Sequence, residues 1–277
     1  MLEAASFRYV ESEMRFLVLI ALSLLVPTAS AATLADAHRA WEARSYAEAF
    51  QVASFVADED KTGEALYIIS RIHEGGYGVV KQNKEYALEL LRQSADRGYP
   101  VALSVLGMAY FDGDGVERNV ETAKQWWLKA AAKNEDGAFY NLAVVYNRID
   151  RNYPEAVKWL RRAIDAGNVD AMKDLARLTA QGNGVPKDIK ESVNLMRRAA
   201  IAGDQGARQL MVEYYVNGTG VTADPVRAQA WALIAERKGD GISPEGRGVL
   251  DRLLTPEKRT EAERLADKCL AAAKDCP

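Results

Sequence analysis

The stretch that decides the fold covers residues 102–134 and reads ALSVLGMAYFDGDGVERNVETAKQWWLKAAAKN. In its first part, Ala102, Leu106 and Gly107 stand at positions i, i+4 and i+5, which share one face of a helix. Alanines and tryptophans repeat a helical pattern in its last part. Between the two parts lies Gly-Asp-Gly-Val, from Gly113 to Val116. The stretch therefore predicts two amphipathic helices joined by a short turn.

The same pattern recurs along the chain. Gly-x-Gly-Val begins at Gly76, Gly113, Gly182 and Gly218, at spacings of 37, 69 and 36 residues. Since 69 residues is one long period plus a shorter one, we expect a unit with a clipped turn in the widest gap. Residues 137–168 have the flanking pattern without the glycine loop. With a degenerate first unit upstream, six helical hairpins tile residues 34–239, and the fold class is all-α.

The repeated glycines also decide between three interpretations of Gly-Asp-Gly-Val. A phosphate loop requires a preceding strand and bare amides at a following helix, and no copy has a strand pattern before it. A calcium loop requires acidic ligands and a glutamate at its twelfth position, but the other copies lack acids matching Asp112 and Asp114, and no such glutamate follows. Glycines between two helices supply the positive-φ positions of a tight turn. We therefore predict a structural turn in each copy.

The N-terminus has the parts of an export signal. Arg15 precedes an apolar run from Phe16 to Val26, and Ala29 and Ala31 form a small-residue cleavage pattern. We expect cleavage before Ala32 and no membrane span in the mature protein, with an uncleaved anchor as the alternative. Met14 is a possible start site. The predicted domains are residues 1–31 as extension and signal peptide, 32–239 as repeats, and 240–277 as capping helices and tail.

Charge and cysteine content narrow the function classes. The formal net charge is −3 and the pI is about 5.7, so the broad basic surface needed for nucleic-acid binding is missing. The two cysteines, Cys269 and Cys276, stand at the C-terminus. In an oxidising compartment they could close a small loop, and two free thiols are the alternative.

Written out, the pattern is A-x3-[LI]-G-x2-Y-x2-G-x-G-V followed by A-x2-W-x3-AA-x2-G, and it resembles the Sel-one-like repeat (SLR) family, relatives of tetratricopeptide repeats. The resemblance covers residues 34–239, and the C-terminal tail is similar to the closing helices of exported members. It implies a right-handed α/α superhelix of about six helix-turn-helix repeats plus C-terminal capping helices. Fold does not fix function, and the repeats identify an architecture only.

The resemblance also implies a binding surface. If first helices line a concave face as in tetratricopeptide repeats, the inward positions fall two, six and nine residues after each opening alanine. We expect an apolar strip with a cationic rim, where a peptide could bind. Packing of the same residues within a tightly wound superhelix is the alternative. The partner-binding residues predicted in this way are Tyr67, Arg71, Met108, Phe111, Tyr140, Val144, Asn147, Lys173 and Arg177.

Catalytic and metal-binding patterns are missing from the sequence. Some exported SLR proteins are connected with β-lactam hydrolysis, but the chain contains no Ser-x-x-Lys motif. His38 and His73 lack the further ligands that a zinc site needs. We expect no enzyme activity, no cofactor and no metal. The sequence favours a periplasmic or secreted scaffold that binds a protein or peptide, with a cell-wall hydrolase or a secreted host-protein-binding factor as alternatives.

Overall fold

The computed structural model describes residues 32–78, 80–242, 244–273 and 276–277. The predicted signal peptide, residues 1–31, lies outside the described residues. Within them, the regular structure consists of helices, and the predicted all-α repeat class is confirmed. The fourteen α-helices are α1 Leu34–Glu42, α2 Tyr46–Val56, α3 Glu64–Gly75, α4 Lys84–Asp96, α5 Pro100–Asp112, α6 Val120–Ala132, α7 Asp136–Val144, α8 Tyr153–Asp165, α9 Val169–Gln181, α10 Ile189–Ile201, α11 Gln205–Asn217, α12 Pro225–Arg237, α13 Pro244–Leu253 and α14 Pro256–Ala271.

The chain forms two compact units, one up to Ala102 and one from Leu103 to Pro277. In the first unit, α1 pairs with α2 and α3 pairs with α4, so the degenerate first hairpin is present. In the second unit, α7 pairs with α8, α9 with α10 and α11 with α12, and each hairpin packs on the next. One hairpin cannot bury both of its faces, so stacking supplies the core.

The recurring glycines form turns, as predicted. Both glycines of each Gly-x-Gly-Val copy have positive φ, a region in which side chains with a Cβ are strained. Gly184 shows a second constraint, because a Cβ there would lie 2.5 Å from the backbone carbon of Tyr153. The glycine therefore allows the turn to touch the neighbouring hairpin.

The second helices of the second to sixth hairpins each start at a side-chain cap. The carboxamide or carboxylate of the residue before the helix accepts a hydrogen bond from a backbone N–H of the first turn, and such caps contribute about 1 kcal/mol each. The caps of this kind at second helices are Asn83, Asn119, Asn152, Asp188 and Asp224.

The fourth hairpin, α7 with α8, has the clipped turn that the spacing predicts, and its geometry is unusual. Helix α7 continues into a π-helical turn, Val145–Ile149, closed by the bond from the Asp150 N–H to the Val145 carbonyl at 3.0 Å. Arg151 then takes the left-handed conformation that glycine takes in the other turns. A π-helical turn holds one more residue than an α-helical turn, so side chains beyond Val144 shift around the helix.

Tryptophans of the second helices fill the core of the second unit. Trp127, Trp159 and Trp231 are buried, as their repeat positions predict. Trp126 is only partly buried, with the Lys129 ammonium 4.0 Å from its ring centroid. Neighbouring residues of one helix face different directions, and Trp127 takes the inward one.

The C-terminal helices close the second unit. Helix α14 packs on α12, and a disulfide joins Cys269 of α14 to Cys276. The indole Nε1 of the buried Trp231 donates to the Pro277 carbonyl at 3.0 Å. This hydrogen bond holds Pro277 against the repeat core.

Candidate functional site

Side-chain contacts link neighbouring first helices in the second unit. The Tyr140 hydroxyl of α7 donates to Asp174 Oδ2 of α9 at 3.3 Å. Gly137, at the start of α7, lies against Ser104 of α5, whose Oγ is 3.6 Å from the place of a Cβ on that glycine. We call the surface of these helices the first-helix face and define it by Met108, Tyr140, Val144, Arg148, Lys173, Asp174 and Arg177.

The residues two positions after each opening alanine tie neighbouring repeats together. Lys173 donates to Asp204, the N-cap of the next first helix, at 2.7 Å. Gln209 donates to the Gly241 carbonyl at 2.9 Å. In the first unit, the ring centroids of Tyr67 and Tyr99 are 5.3 Å apart. These positions therefore serve repeat stacking, which was the structural alternative for the predicted groove.

The pKa shifts of Lys173 and Asp204 agree with a role of Lys173 in repeat stacking. Hydrogen bonds to Asp170 and Asp204 raise the pKa of the Lys173 ammonium above its usual range. Burial pushes the pKa of Asp204 upward, but Lys173 and the Ala207 N–H outweigh it and lower the pKa. Since two carboxylates already neutralise Lys173, it adds little free positive charge to the rim.

Asp174 is the electrostatic centre of the first-helix face. Its side chain is 14% exposed and meets Tyr140, Arg148 and Arg177. The Arg148 Nη2 atom lies 3.7 Å from Oδ2, and the Arg177 Nη2 atom lies 3.4 Å from Oδ1. Burial, followed by the charges of Asp174 and Asp170, raises the pKa of the Tyr140 hydroxyl to about 12. Tyr140 is therefore a neutral donor at physiological pH.

Arg148 and Asp174 were not predicted from the sequence. Arg148 falls ten residues after its opening alanine, outside the positions expected to face the groove, and it lies on the π-helical turn. The missing glycine loop was the only signal that the register changes here. Asp174 stands three residues before Arg177, a spacing that permits an ion pair on one helix face.

The predicted apolar strip is shorter than expected. Met108 is 39% exposed and Val144 is partly exposed. Phe111 packs within its own hairpin, with its ring centroid 5.5 Å from that of Trp127. Asn147 is only 6% exposed, so it lies beneath the surface. Its Nδ2 finds no acceptor in the described part of the chain, and a buried donor in that state costs about 1–3 kcal/mol.

Arg71 and Tyr67 belong to the first unit. Arg71 forms an ion pair with Glu74, three residues further along α3. His73, on the same helix, packs edge-on against the rings of Phe50 and Tyr86. Burial lowers the pKa of its imidazole, which fits a structural role.

The described residues offer neither a metal-binding group nor a membrane-spanning helix. No group of three or more histidines, cysteines or carboxylates in residues 32–78, 80–242, 244–273 and 276–277 could hold a metal ion. The described helices include none that is long and apolar enough to cross a membrane.

Comparisons with known proteins agree with the repeat architecture. The family model described as Sel1 repeat matches residues 63–99, 100–135, 139–168, 169–204 and 213–240, together more than half of the chain. A Sel1 repeat protein from Oxalobacter formigenes has a similar structure, with 26% identity and a TM-score of 0.68, covering 87% of this chain and all of the other. A protective antigen of uropathogenic Escherichia coli displaying an SLR fold is 29% identical, with a TM-score of 0.65, covering 82% of this chain and 50% of the other.

Curated relatives include regulators of chitin synthase. The Saccharomyces cerevisiae chitin synthase regulator SKT5 is 29% identical over 134 residues, which is 46% of this chain and 19% of that protein. Chitin synthase regulatory factor 2 of Schizosaccharomyces pombe is 28% identical over 157 residues, 53% of this chain and 31% of the other. The chain thus spans less than a third of these relatives.

Proposed function

Because the chain belongs to the Sel1 repeat family, whose members generally act as protein-interaction scaffolds, we propose that it is an exported scaffold that binds a protein or peptide partner on its first-helix face. One observation carries this proposal: the first helices of the second unit present partly exposed apolar side chains, Met108 and Val144, together with a charged cluster centred on Asp174. Apolar patches rimmed by polar groups mark interaction sites on soluble proteins.

The type of surface favours a peptide or a protein over a small substrate. Its residues come from α5, α7, the π-helical turn that follows α7, and α9, and a hydrogen bond and an ion pair link α7 and this turn to α9. A helix or an extended segment can lie across such parallel helices, with alternate side chains supplying specificity. The chitin synthase regulators that share the repeats support a role in which the partner performs any chemistry.

Export to the periplasm or the extracellular space is part of the proposal. It is supported by the basic, apolar and small-residue segments from Arg15 to Ala31. The disulfide between Cys269 and Cys276 is compatible with an oxidising compartment. N-terminal sequencing of the cellular protein tests it, with a start near Ala32 expected. A cellular form that begins at Met1 or Met14 would refute cleavage.

Capture of partners with matched variants tests the binding surface. The full-length chain is cross-linked in its native cells, immunoprecipitated without a C-terminal tag, and its partners are identified by mass spectrometry. Met108→Glu places a charge on the first-helix face. Ile201→Glu makes the same change at a similarly exposed position, 37% against 39%, on a second helix of the same unit. We expect Met108→Glu to lose a partner that the Ile201→Glu control retains.

Equal capture by both variants would contradict the assignment of the surface. Circular dichroism of each variant establishes that its helices are intact before the capture is interpreted. Since both positions are partly exposed, neither change puts a charge into the core.

A further inference from the structure

We propose that the first-helix face recognises an acidic segment of the partner protein, an inference that rests on the proposed function. A carboxylate of that segment binds between the guanidinium groups of Arg148 and Arg177. An apolar side chain beside it packs on Met108 and Val144.

The two arginines share one ion-pair partner, Asp174. Arg148 and Arg177 come from different repeats, yet both reach Asp174, one at each carboxylate oxygen. Their side chains are 60% and 46% exposed, whereas that of Asp174 is 14% exposed. The carboxylate therefore lies below, and the two guanidinium groups extend past it toward solvent.

Most donors of the two arginines are still available. A guanidinium carries five N–H donors in a planar fork, and each arginine approaches Asp174 through its Nη2 atom, at 3.7 Å for Arg148 and 3.4 Å for Arg177. The remaining donors match the bidentate geometry in which arginine binds a carboxylate. Asp174 already restrains the side chains of both arginines. These side chains therefore lose less conformational entropy when they bind an incoming carboxylate.

The two exposed guanidinium groups favour an acidic guest. Two arginines and one aspartate leave a net charge of +1 in this cluster. Lys173 stands next to Asp174 in the chain and pairs with both Asp170 and Asp204, so these three groups carry −1 and the six groups together sum to zero. Tyr140 stays neutral, as its raised pKa shows. An acidic guest is therefore attracted by the exposed guanidinium groups of Arg148 and Arg177, and not by a net positive surface.

Partly exposed apolar side chains lie on α5 and α7, the first helices that precede Arg148 in the chain. Val144 precedes Arg148 by four residues, at the point where α7 passes into the π-helical turn. Met108 belongs to α5, which contacts the start of α7 through Ser104 and Gly137. A guest with alternating acidic and apolar side chains would satisfy both parts of the surface, and a purely apolar or a basic guest would satisfy one or neither.

Three matched peptides test this partner chemistry on the full-length chain. The probe is fluorescein-labelled Ser-Gly-Glu-Leu-Glu-Leu-Gly-Ser, and its relatives carry glutamine or lysine in place of both glutamates. Fluorescence anisotropy gives the affinities at low and at high salt. We expect the glutamate peptide to bind about tenfold more tightly than the glutamine peptide at low salt. The preference should fall as salt screens the charges.

Two test variants and one control distinguish ligand recognition by the arginines from a purely structural role in linking α7 and α9. Arg148→Gln with Arg177→Gln should abolish the preference for glutamate, whereas Arg161→Gln, an exposed arginine on second helix α8, should leave it unchanged. Asp174→Asn removes the competing carboxylate, so the glutamate peptide should bind at least threefold more tightly. If the ion pairs only link α7 to α9, Asp174→Asn should not increase the affinity for the glutamate peptide.

Each outcome decides the inference. Equal binding of the three peptides, no binding by any of them, or a preference that survives the double arginine variant would overturn it. If Met108→Glu still loses the captured partner in those cases, the scaffold proposal stands without the acidic guest. If Met108→Glu also retains that partner, both proposals fall.

Discussion

Replacing Gly107 by alanine tests how closely the hairpin of α5 and α6 is packed. A Cβ at residue 107 would lie 2.6 Å from Nε1 and 2.7 Å from Cδ1 of Trp127. The indole is buried, and its Nε1 donates to the Ser104 carbonyl at 3.0 Å. The ring therefore cannot move away from the new methyl group without losing a buried hydrogen bond.

Two opposing effects set the magnitude. Alanine in place of glycine inside a helix stabilises by about 1 kcal/mol. Overpacking a core typically costs about 1–3 kcal/mol. Because the neighbour is a rigid ring held by a hydrogen bond, we take the upper half of that range for Gly107→Ala. The free energy of unfolding should then fall by about 1–2 kcal/mol.

Urea unfolding, followed by circular dichroism and tryptophan fluorescence, measures the change. Gly248→Ala is the control, since Gly248 also lies in a helix and a Cβ there meets nothing within 4 Å. It should stabilise by up to about 1 kcal/mol. In a Trp127→Leu background, Gly107→Ala should no longer destabilise. A stabilisation by Gly107→Ala as large as that by Gly248→Ala would refute the packing argument.

Two further predictions concern charged groups. Arg208 Nε and Asp240 Oδ2 are 2.5 Å apart, and both side chains are nearly buried. Because Arg208→Met would leave the Asp240 carboxylate buried without its partner, the free energy of unfolding in urea should fall by about 3–5 kcal/mol. Adding Asp240→Leu should recover most of this loss. Partial burial lowers the pKa of His38, but hydrogen bonds and charges of Glu64 and Glu42 outweigh it and raise the pKa. Its contribution to stability is then complete below its unfolded pKa of about 6.5 and is lost as pH rises through the folded value. The destabilisation caused by His38→Gln should therefore be larger at pH 6 than at pH 8.5, and equal values would contradict the pairing.

The repeats were predictable because local sequence determines them. Glycines at a fixed period require positive φ, and the spacing of alanines and tryptophans places helix faces, so hairpins and turns follow without knowledge of tertiary contacts. The short repeat between residues 116 and 182 was also visible as a gap in the glycine spacing. Its π-helical turn was not, because the hydrogen-bond register there depends on packing against α8.

The binding surface was only partly predictable for the same reason. The extra residue in the π-helical turn moves Arg148 onto the first-helix face and leaves Asn147 buried, so a fixed count from the opening alanine fails after Val144. Lys173 was expected to supply free charge. Its partner Asp204 lies 31 residues away, and stacking of repeats alone brings the two together.

Site-specific photo-cross-linking in living cells would show which face of the protein meets the partner. A photoreactive phenylalanine analogue replaces Met108 on the first-helix face in one strain and Ile201 on a second helix in another, since the two positions are similarly exposed. If the first-helix face is the binding surface, irradiation joins a discrete partner to the protein labelled at position 108 and not to the protein labelled at position 201. Cross-links to the same partner from position 201, with none from position 108, would contradict it.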